Sequence, residues 1–478
     1  MNPDQEINLP SAAVQQGEPN ALAQPQTLWR YALARICWGL VLTTITLNFF
    51  YLQYLLPAVG CVLIYLGLRS LRKANRWLGA CHGLSVALLV LRAAILLLDA
   101  TPAWWALPDS AGFWTGVLAF LLVFLLLFAL WRGLKEIFRQ AGQPPKTGSA
   151  GALVICWVLI FLLGLMETSI WLVTLPVLIL WICLVVGVFK INGALEQAGY
   201  AIPFAPVRVA GWYLGLFYLV ALAAGILICL LCFSRRPVAA VPAAPQTGQT
   251  QLRQELAELG FPEELLADLP DEEVARLEGA SGVEQKDIWG WNTADHLEGL
   301  DCQVFQVTLP GENTLRFYYF FQWRTPPEKR YRYLDGVELI PTHSFNSLSM
   351  EMESPRGSLL WEEDGQTLEM ELTATAPQVY HDTWSLGTLT SVSSYSYCDM
   401  VFSLPKEGEN LRGYVTWGVS NLQEENFVTS CITYIHQLSP LSYPWADPCQ
   451  AQRLGRAADG QDPFCSLGVW CDAHYTEE

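Results

Sequence analysis

Residues 210–250 read AGWYLGLFYLVALAAGILICLLCFSRRPVAAVPAAPQTGQT: an apolar run to Phe233, then Arg235 and Arg236, then a stretch of Pro, Ala, Gln and Thr. As a helix rising about 1.5 Å per residue, the run to Phe233 exceeds the roughly 30 Å of hydrocarbon in a bilayer. The stretch 234–250 is semi-extended and has little apolar surface to bury, so it reads as a linker that does not pack. The chain changes solvent at this point. Residues 1–236 hold 15 Lys/Arg against 8 Asp/Glu and residues 237–478 hold 13 against 37, which joins a half of net charge +7 to one of −24. Over all 478 residues the composition is 52% hydrophobic and 15% charged, against about 25% charged for soluble proteins, and this excludes a wholly soluble protein. A half near −24 repels the phosphate backbone that supplies most nucleic-acid affinity, so a nucleic-acid partner is excluded as a default.

Upstream of the break, seven apolar runs are long enough to span: about 32–50, 54–70, 78–98, 113–132, 151–167, 171–190 and 210–233. They form a membrane domain over 29–233, preceded by a tail at 1–28 whose Gln, Pro and Ala content reads as disorder. Residues 31–68 and 151–189 are each twice the length of one span. Each is therefore expected to fold back, the first at Asn48, Gln53 and Pro57 and the second at Glu167, Thr168 and Ser169, with a re-entrant loop as the alternative. Twelve Lys/Arg fall on one side of these spans, among them Arg69, Arg72, Lys73, Arg76, Arg132, Lys135, Arg139 and Lys146. The opposite loops, including Asp99 to Gly112, carry none, while Arg235 and Arg236 dissent. The positive-inside rule then places the N-terminus in the cytoplasm and everything after Phe233 outside.

Leu55-Leu56-Pro57-Ala58-Val59-Gly60, continuing through Gly67-Leu68 to Trp77, resembles a segment of an uncharacterised family of bacterial polytopic membrane proteins. In that family a Leu-Pro-x-x-x-Gly turn opens a span ending in Gly-Leu, followed by a polar loop with Asn and an aromatic residue. The likeness covers residues 55–77 and departs at Ala58, where the pattern has Asp. It implies a membrane setting and no particular activity.

Inside the spans Arg92 is the one candidate functional charge, with Asp99 two turns along the same face, and structural pairing of the two competes with a substrate or ion role. The seven cysteines of this half read as small apolar residues.

Beyond the linker, residues 251–283 read as short helices forming a stalk or mini-bundle. Leu252, Leu256 and Leu259 share a face, Gly260 ends a helix, and Pro262 and Pro270 open two more. From about 300 the period becomes two. Leu315, Phe317, Tyr319, Phe321 and Trp323 alternate with Arg316, Tyr318, Phe320, Gln322 and Arg324, and Phe305, Val307 and Leu309 precede them across Pro310-Gly311-Glu312-Asn313. This predicts a hairpin. A second hairpin is expected across Asp364-Gly365, and a third between Met400–Leu404 and Leu411–Val419 across Lys406 to Asn410. Further strands fit 330–340, 344–352 and 427–436. The expected fold is thus an α-helical multi-pass membrane domain of about seven spans plus a mainly β extracytoplasmic domain over 284–438, a β-sandwich or jelly roll.

The tail 439–478 lacks periodicity and reads as irregular. Six cysteines lie in this outer half, and Cys449, Cys465 and Cys471 in the tail are candidates for a disulfide. Trp289, Trp291, Trp361 and Trp384 are candidate ligand-binding residues, because aromatic faces stack on sugars and peptides; packing in a core is the competing role. The histidines are scattered and read as loop or surface residues. No nucleophile, base or metal constellation appears in the sequence, so no catalytic residue, metal or cofactor is assigned. The reading that follows is a membrane protein whose acidic outer domain binds or senses an envelope glycan, a peptide or a partner membrane protein. The alternative is a small transporter or membrane-embedded enzyme with an accessory outer domain.

Overall fold

The computed structural model describes residues 28–44, 47, 50–108, 110–165, 171–197, 209–244, 246–287, 289–292, 297–327, 333–340, 351–386, 389–423, 427–455 and 463–475. The tail expected before Leu28, the turn residues Asn48 and Glu167 to Ser169, and His296 and His343 lie outside them. Two compact units are present: one comprises the chain to Ala93 with Asp109–Leu219, the other Ala94–Pro108 with Val220–Glu478.

The apolar runs form helices α1 (Leu28–Thr44), α2 (Leu52–Leu71), α3 (Arg76–Leu98), α4 (Ser110–Gln140), α5 (Gly148–Leu165), α6 (Trp171–Gln197) and α7 (Gly211–Cys232). Among the described residues, five stretches are long and apolar enough to cross a membrane: α2, α3, α4, Leu175–Leu195 of α6, and α7. The 17-residue α1 and the apolar part of α5, Gly148–Gly164, are shorter.

In the first unit α1 and α2 meet backbone to backbone. A Cβ added to Gly39 would stand 2.7 Å from the Gly60 oxygen, one on Gly60 2.7 Å from the Gly39 oxygen, and one on Gly67 2.7 Å from the Ala32 oxygen. Without a hydrophobic drive between helices in lipid, such close approach of small residues is what holds them together. The first turn lies earlier than expected: α2 starts at Leu52, so Gln53 and Pro57 sit inside the helix. Pro57 has no N–H to give the carbonyl of Gln53 one turn back. Arg92 supplies the donor instead, its Nη2 lying 3.4 Å from the Gln53 oxygen, as polar groups freed by a membrane proline require.

In the second unit the linker is followed by α8 (Thr250–Glu258), α9 (Glu263–Asp268) and α10 (Asp271–Ala275), with α11 (Pro448–Arg453) near the C-terminus. The strands are β1 (Val241–Pro242), β2 (Gly282–Gln285), β3 (Trp289–Asn292), β4 (Leu300–Leu309), β5 (Thr314–Trp323), β6 (Asp335–Ile340), β7 (Glu351–Met352), β8 (Arg356–Glu363), β9 (Gln366–Thr373), β10 (Gln378–Leu386), β11 (Leu389–Phe402), β12 (Glu409–Ser420), β13 (Phe427–Gln437) and β14 (Phe464–His474). One antiparallel sheet runs β1-β9-β8-β12-β5-β4-β2, with β7 also on β12; the other runs β10-β11-β6-β13-β14-β3. Phe317, Tyr319, Phe321 and Trp323 of the first sheet and Val337, Met400, Tyr434 and Val469 of the second contribute to one buried core. The alternation in β5 fixes which residues point into it.

Two expected hairpins form. Leu309 faces Thr314 across a turn in which Asn313 takes a φ of 49°. β8 and β9 join at Asp364 and Gly365, both left-handed at φ 51° and 74°, which matches the twist of the strands. The third does not form. β11 pairs with β6 and β10 while β12 pairs with β5 and β8, so residues 403–408 cross between sheets; hairpins and crossovers use the same turn residues.

Three further expectations are corrected. Tyr318 and Phe320 on the other face of β5 join Phe261, Leu266 and Leu277 in a second buried cluster, so the short helices pack on the sheet instead of forming the expected stalk or mini-bundle. Arg316, buried there, donates to both oxygens of Glu353 at 2.7 and 2.9 Å and to Glu273 of α10 at 3.5 Å. The linker is pinned: Val241 and Pro242 pair with β9, and the Arg236 N–H donates to the Ser403 hydroxyl at 2.9 Å. The tail is ordered: β14 pairs with β13 from Phe427–His474 to Gln437–Phe464.

Replacing Gly60 with Val forces a branched side chain into a gap closed by backbone oxygen. Thermal unfolding of the purified chain should show a loss at the upper end of the roughly 1–3 kcal/mol typical of overpacking. Gly83→Ala, where an added Cβ meets nothing within 4 Å, should leave the midpoint unchanged.

Candidate functional site

The densest buried charge described in the second unit lies on the outer face of the second sheet. Val337, Leu339, Met400 and Phe402 point into the core, so the residues between them point away, and the register sets Glu338 directly opposite Asp399. Over this pair lies α11. Asp447 opens it by accepting the Gln450 N–H at 2.8 Å while the Gln450 side chain accepts the Asp447 N–H at 3.2 Å, and Pro448 fills the first helical position. The helix comes this close because position 336 is glycine: a Cβ there would stand 2.8 Å from Cys449 Sγ and 3.0 Å from Pro448 Cβ.

The last residue of α11 is Arg453. Its Nη1 donates to Asp399 Oδ1 at 2.8 Å and to Glu338 Oε2 at 2.7 Å, and its Nη2 donates to Asp399 Oδ2 at 2.7 Å. The ring of Tyr397 lies beneath the guanidinium, 4.0 Å from Cζ to centroid. The planar fork suits this arrangement, which a point charge could not satisfy. Asp399 takes both arms of the fork and Glu338 a single bond. Burial therefore outweighs the pull of Arg453 on Glu338 and pushes its carboxyl up to about 7; burial likewise pushes Asp447 up to about 6. Three carboxylates and one guanidinium form a cluster able to take up a proton in the neutral range, and the proton changes what holds α11 down.

On the core side of β6 a second polar group is buried. His436 faces Asp335 in the register, with Nδ1 2.8 Å from Oδ1; Tyr434 donates to the same oxygen at 3.1 Å and accepts from Trp323 Nε1 at 3.1 Å. His436 is thus a core residue, not the surface or loop histidine expected. Cys465 Sγ donates to the backbone oxygen of His436 at 3.6 Å.

The segment before α11 fixes the same unit to its helix ends. Trp445 donates its backbone N–H to the Asp99 oxygen at 2.7 Å and its Nε1–H to the Phe233 oxygen at 3.2 Å, and accepts from Trp105 Nε1 at 2.9 Å. Tyr443 donates to the Leu96 oxygen at 3.2 Å. Trp445, Ala100, Leu230 and Leu334 form one small apolar cluster. Seven residues thus separate a tryptophan clamped on the ends of α3 and α7 from the arginine of the carboxylate cluster.

The residues singled out from sequence are scattered by comparison. Trp361 is a core residue, 1% exposed, its Nε1 donating to Glu363 at 3.1 Å. Trp289 and Trp291 stand in β3 opposite Trp470 and Gly468, and Trp384 in β10 opposite Ser391, described by backbone pairing. Arg92 serves the Gln53 carbonyl, and Asp99 offers its own carbonyl to Trp445. Cys449, Cys465 and Cys471 are free thiols instead of the expected bridge. Six residues of strand put about 20 Å between the last two, beyond disulfide reach. What sequence reasoning missed was readable at Asp447-Pro448-Cys449-Gln450, an acidic cap, a first-turn proline and a glutamine at the third position.

No family model matches the chain, and no curated protein matches it significantly. Among solved structures it is similar to the KRT10-binding region domain of the pneumococcal serine rich repeat protein PsrP, at 9% identity and a TM-score of 0.17, over 36% of this chain and 94% of that one. Nothing about this chain follows from so slight a likeness.

Glu338 binds its proton more tightly folded than unfolded, because its folded value of about 7 lies above the usual 4.5. Between those values the folded state holds the extra proton, so stability falls as pH rises through the window, by on the order of 2–3 kcal/mol. Asp447 acts in the same direction over a lower window. Melting of the β unit, followed by near-ultraviolet circular dichroism, should drop from pH 5.5 to pH 8. Glu338→Gln should flatten much of that drop while keeping a hydrogen-bond acceptor for Arg453.

Proposed function

We propose that this protein is a multi-pass membrane protein of seven spans, with its N-terminus in the cytoplasm and its two sheets forming an extracytoplasmic β-sandwich that binds or senses. The observation that carries this reading is the run from Trp445 to Arg453. A change at the carboxylate cluster has a short, rigid path to the ends of α3 and α7. Sidedness is supported by charge: the Asp99–Pro108 stretch, which lies beside Trp445, lacks the Lys and Arg that the loops at Arg69–Arg76 and Arg132–Lys146 carry. The hydrogen bond from Arg92 to the Gln53 carbonyl favours a structural role for that residue over one in transport. What the module meets outside is a glycan, a peptide or a partner membrane protein.

Two measurements test this. An impermeant maleimide applied to intact cells should label Thr247→Cys and not Gln143→Cys, beyond the parent chain's background; the reverse pattern overturns the topology. In the full chain reconstituted in lipid, hydrogen exchange at residues 448–453 and at 226–233 should change together between pH 5.5 and 8. Trp445→Ala should uncouple them while the β-core stays protected. Independent responses in the unaltered chain would end the relay reading.

A further inference from the structure

We propose that a groove between α4 and α5, in the first unit, is a binding site for the phosphate headgroup of an anionic glycerophospholipid, with Lys135 as the contact to the phosphate. The groove has a volume of about 580 Å³. Phe124, Phe128, Trp131 and Lys135 of α4 line one wall, and Gly151 and Ile155 of α5 line the other. Its depth depends on small residues: a Cβ on Gly151 would stand 3.0 Å from Trp131 Nε1, so the indole lies against bare backbone.

Its chemistry is graded along the helix. From Trp114 to Trp131 is about 26 Å at the helical rise, close to the hydrocarbon thickness, so the two tryptophans fit the two interfaces. α4 runs on to Gln140, and this carries Lys135 to headgroup level. Phe124, Phe128 and Ile155 then offer a surface for acyl chains, and Lys135, 5.8 Å above the Trp131 ring, a cation for the phosphate. Arg132, Arg139 and Lys146 follow within the same basic stretch of sequence. The neighbouring acid, Glu136, is drawn aside to Arg139 at 3.6 Å. A basic pocket between membrane helices, apolar below and cationic above, complements an anionic lipid and gives a zwitterionic one no such advantage.

Native mass spectrometry of the full detergent-purified chain, titrated with phosphatidylglycerol or phosphatidylcholine of matched chains, tests this. Retention of phosphatidylglycerol should exceed that of phosphatidylcholine. Lys135→Gln should cut the excess about fivefold, the size one basic side chain supplies at an anionic surface, while Lys190→Gln, a basic residue of α6 that does not line the groove, should preserve it. Equal retention of the two lipids overturns the proposal. So does an equal loss in both variants, which would mean diffuse surface charge and no site. The readout is independent of which side the β unit occupies.

Discussion

A guanidinium withdrawn from water has to be met by carboxylate oxygens, and a carboxylate withdrawn from water has to be met by a cation or a proton. Arg453 and its partners satisfy both requirements at once. Without it, Glu338, Asp399 and Asp447 would be three acids in a space too dry for three charges. α11 would have to lift from Gly336 to let water in. Its first turn carries Cys449 and is preceded by Ala446, both in the small cluster with Ile435 and Phe464, and one residue further back is the Trp445 clamp. The ion cluster therefore backs the hold of the β unit on the ends of α3 and α7, beside the hydrogen bonds of Tyr443 and Trp445. Such a cluster is worth little as net stability against a well-packed apolar substitute, but it is costly to break by halves. That combination suits a latch better than a rivet.

The charge asymmetry gives the latch a setting. A β half of net −24 is repelled by an anionic bilayer surface, while the basic loops are attracted to one. General electrostatics therefore do not bring the sheets to the membrane. Within the second unit the sheets are tied to the ends of α3 and α7 by specific contacts instead: indole N–H groups and backbone carbonyls at Asp99, Trp105, Phe233 and Trp445, which are insensitive to the sign of nearby charge.

The membrane helices were legible because hydrocarbon tolerates so few sequences, and the β4–β5 and β8–β9 turns because left-handed Asn, Asp and Gly leave a short-range mark. The rest failed for nameable reasons. In β14, Cys465, Leu467, Val469, Cys471 and Ala473 alternate perfectly with Ser466, Gly468, Trp470, Asp472 and His474. Treating the cysteines as crosslinks hid a strand that treating them as small apolar residues would have revealed. The two faces of β5 were both buried, and a period of two cannot say that helices will cover the second. The candidate site was almost invisible: Arg453 finds its acids 115 and 54 residues upstream, and only the α11 cap lay within local reach. Trp361 misled because the size that suits a binding face also suits a core.

The unbridged thiols have a chemical consequence. Burial pushes Cys302, Cys465 and Cys471 up to about 12, and raises Cys449 well above the usual thiol range. Oxidants and disulfide exchange act on the thiolate, so in the folded unit these sulfurs are shielded both by packing and by protonation. An unfolded chain has neither protection. On an oxidising side of a membrane the domain then has a time limit at birth: it must close its sheets before its cysteines are captured. Afterwards, the rate at which those cysteines react is a clock that runs only while the fold is open.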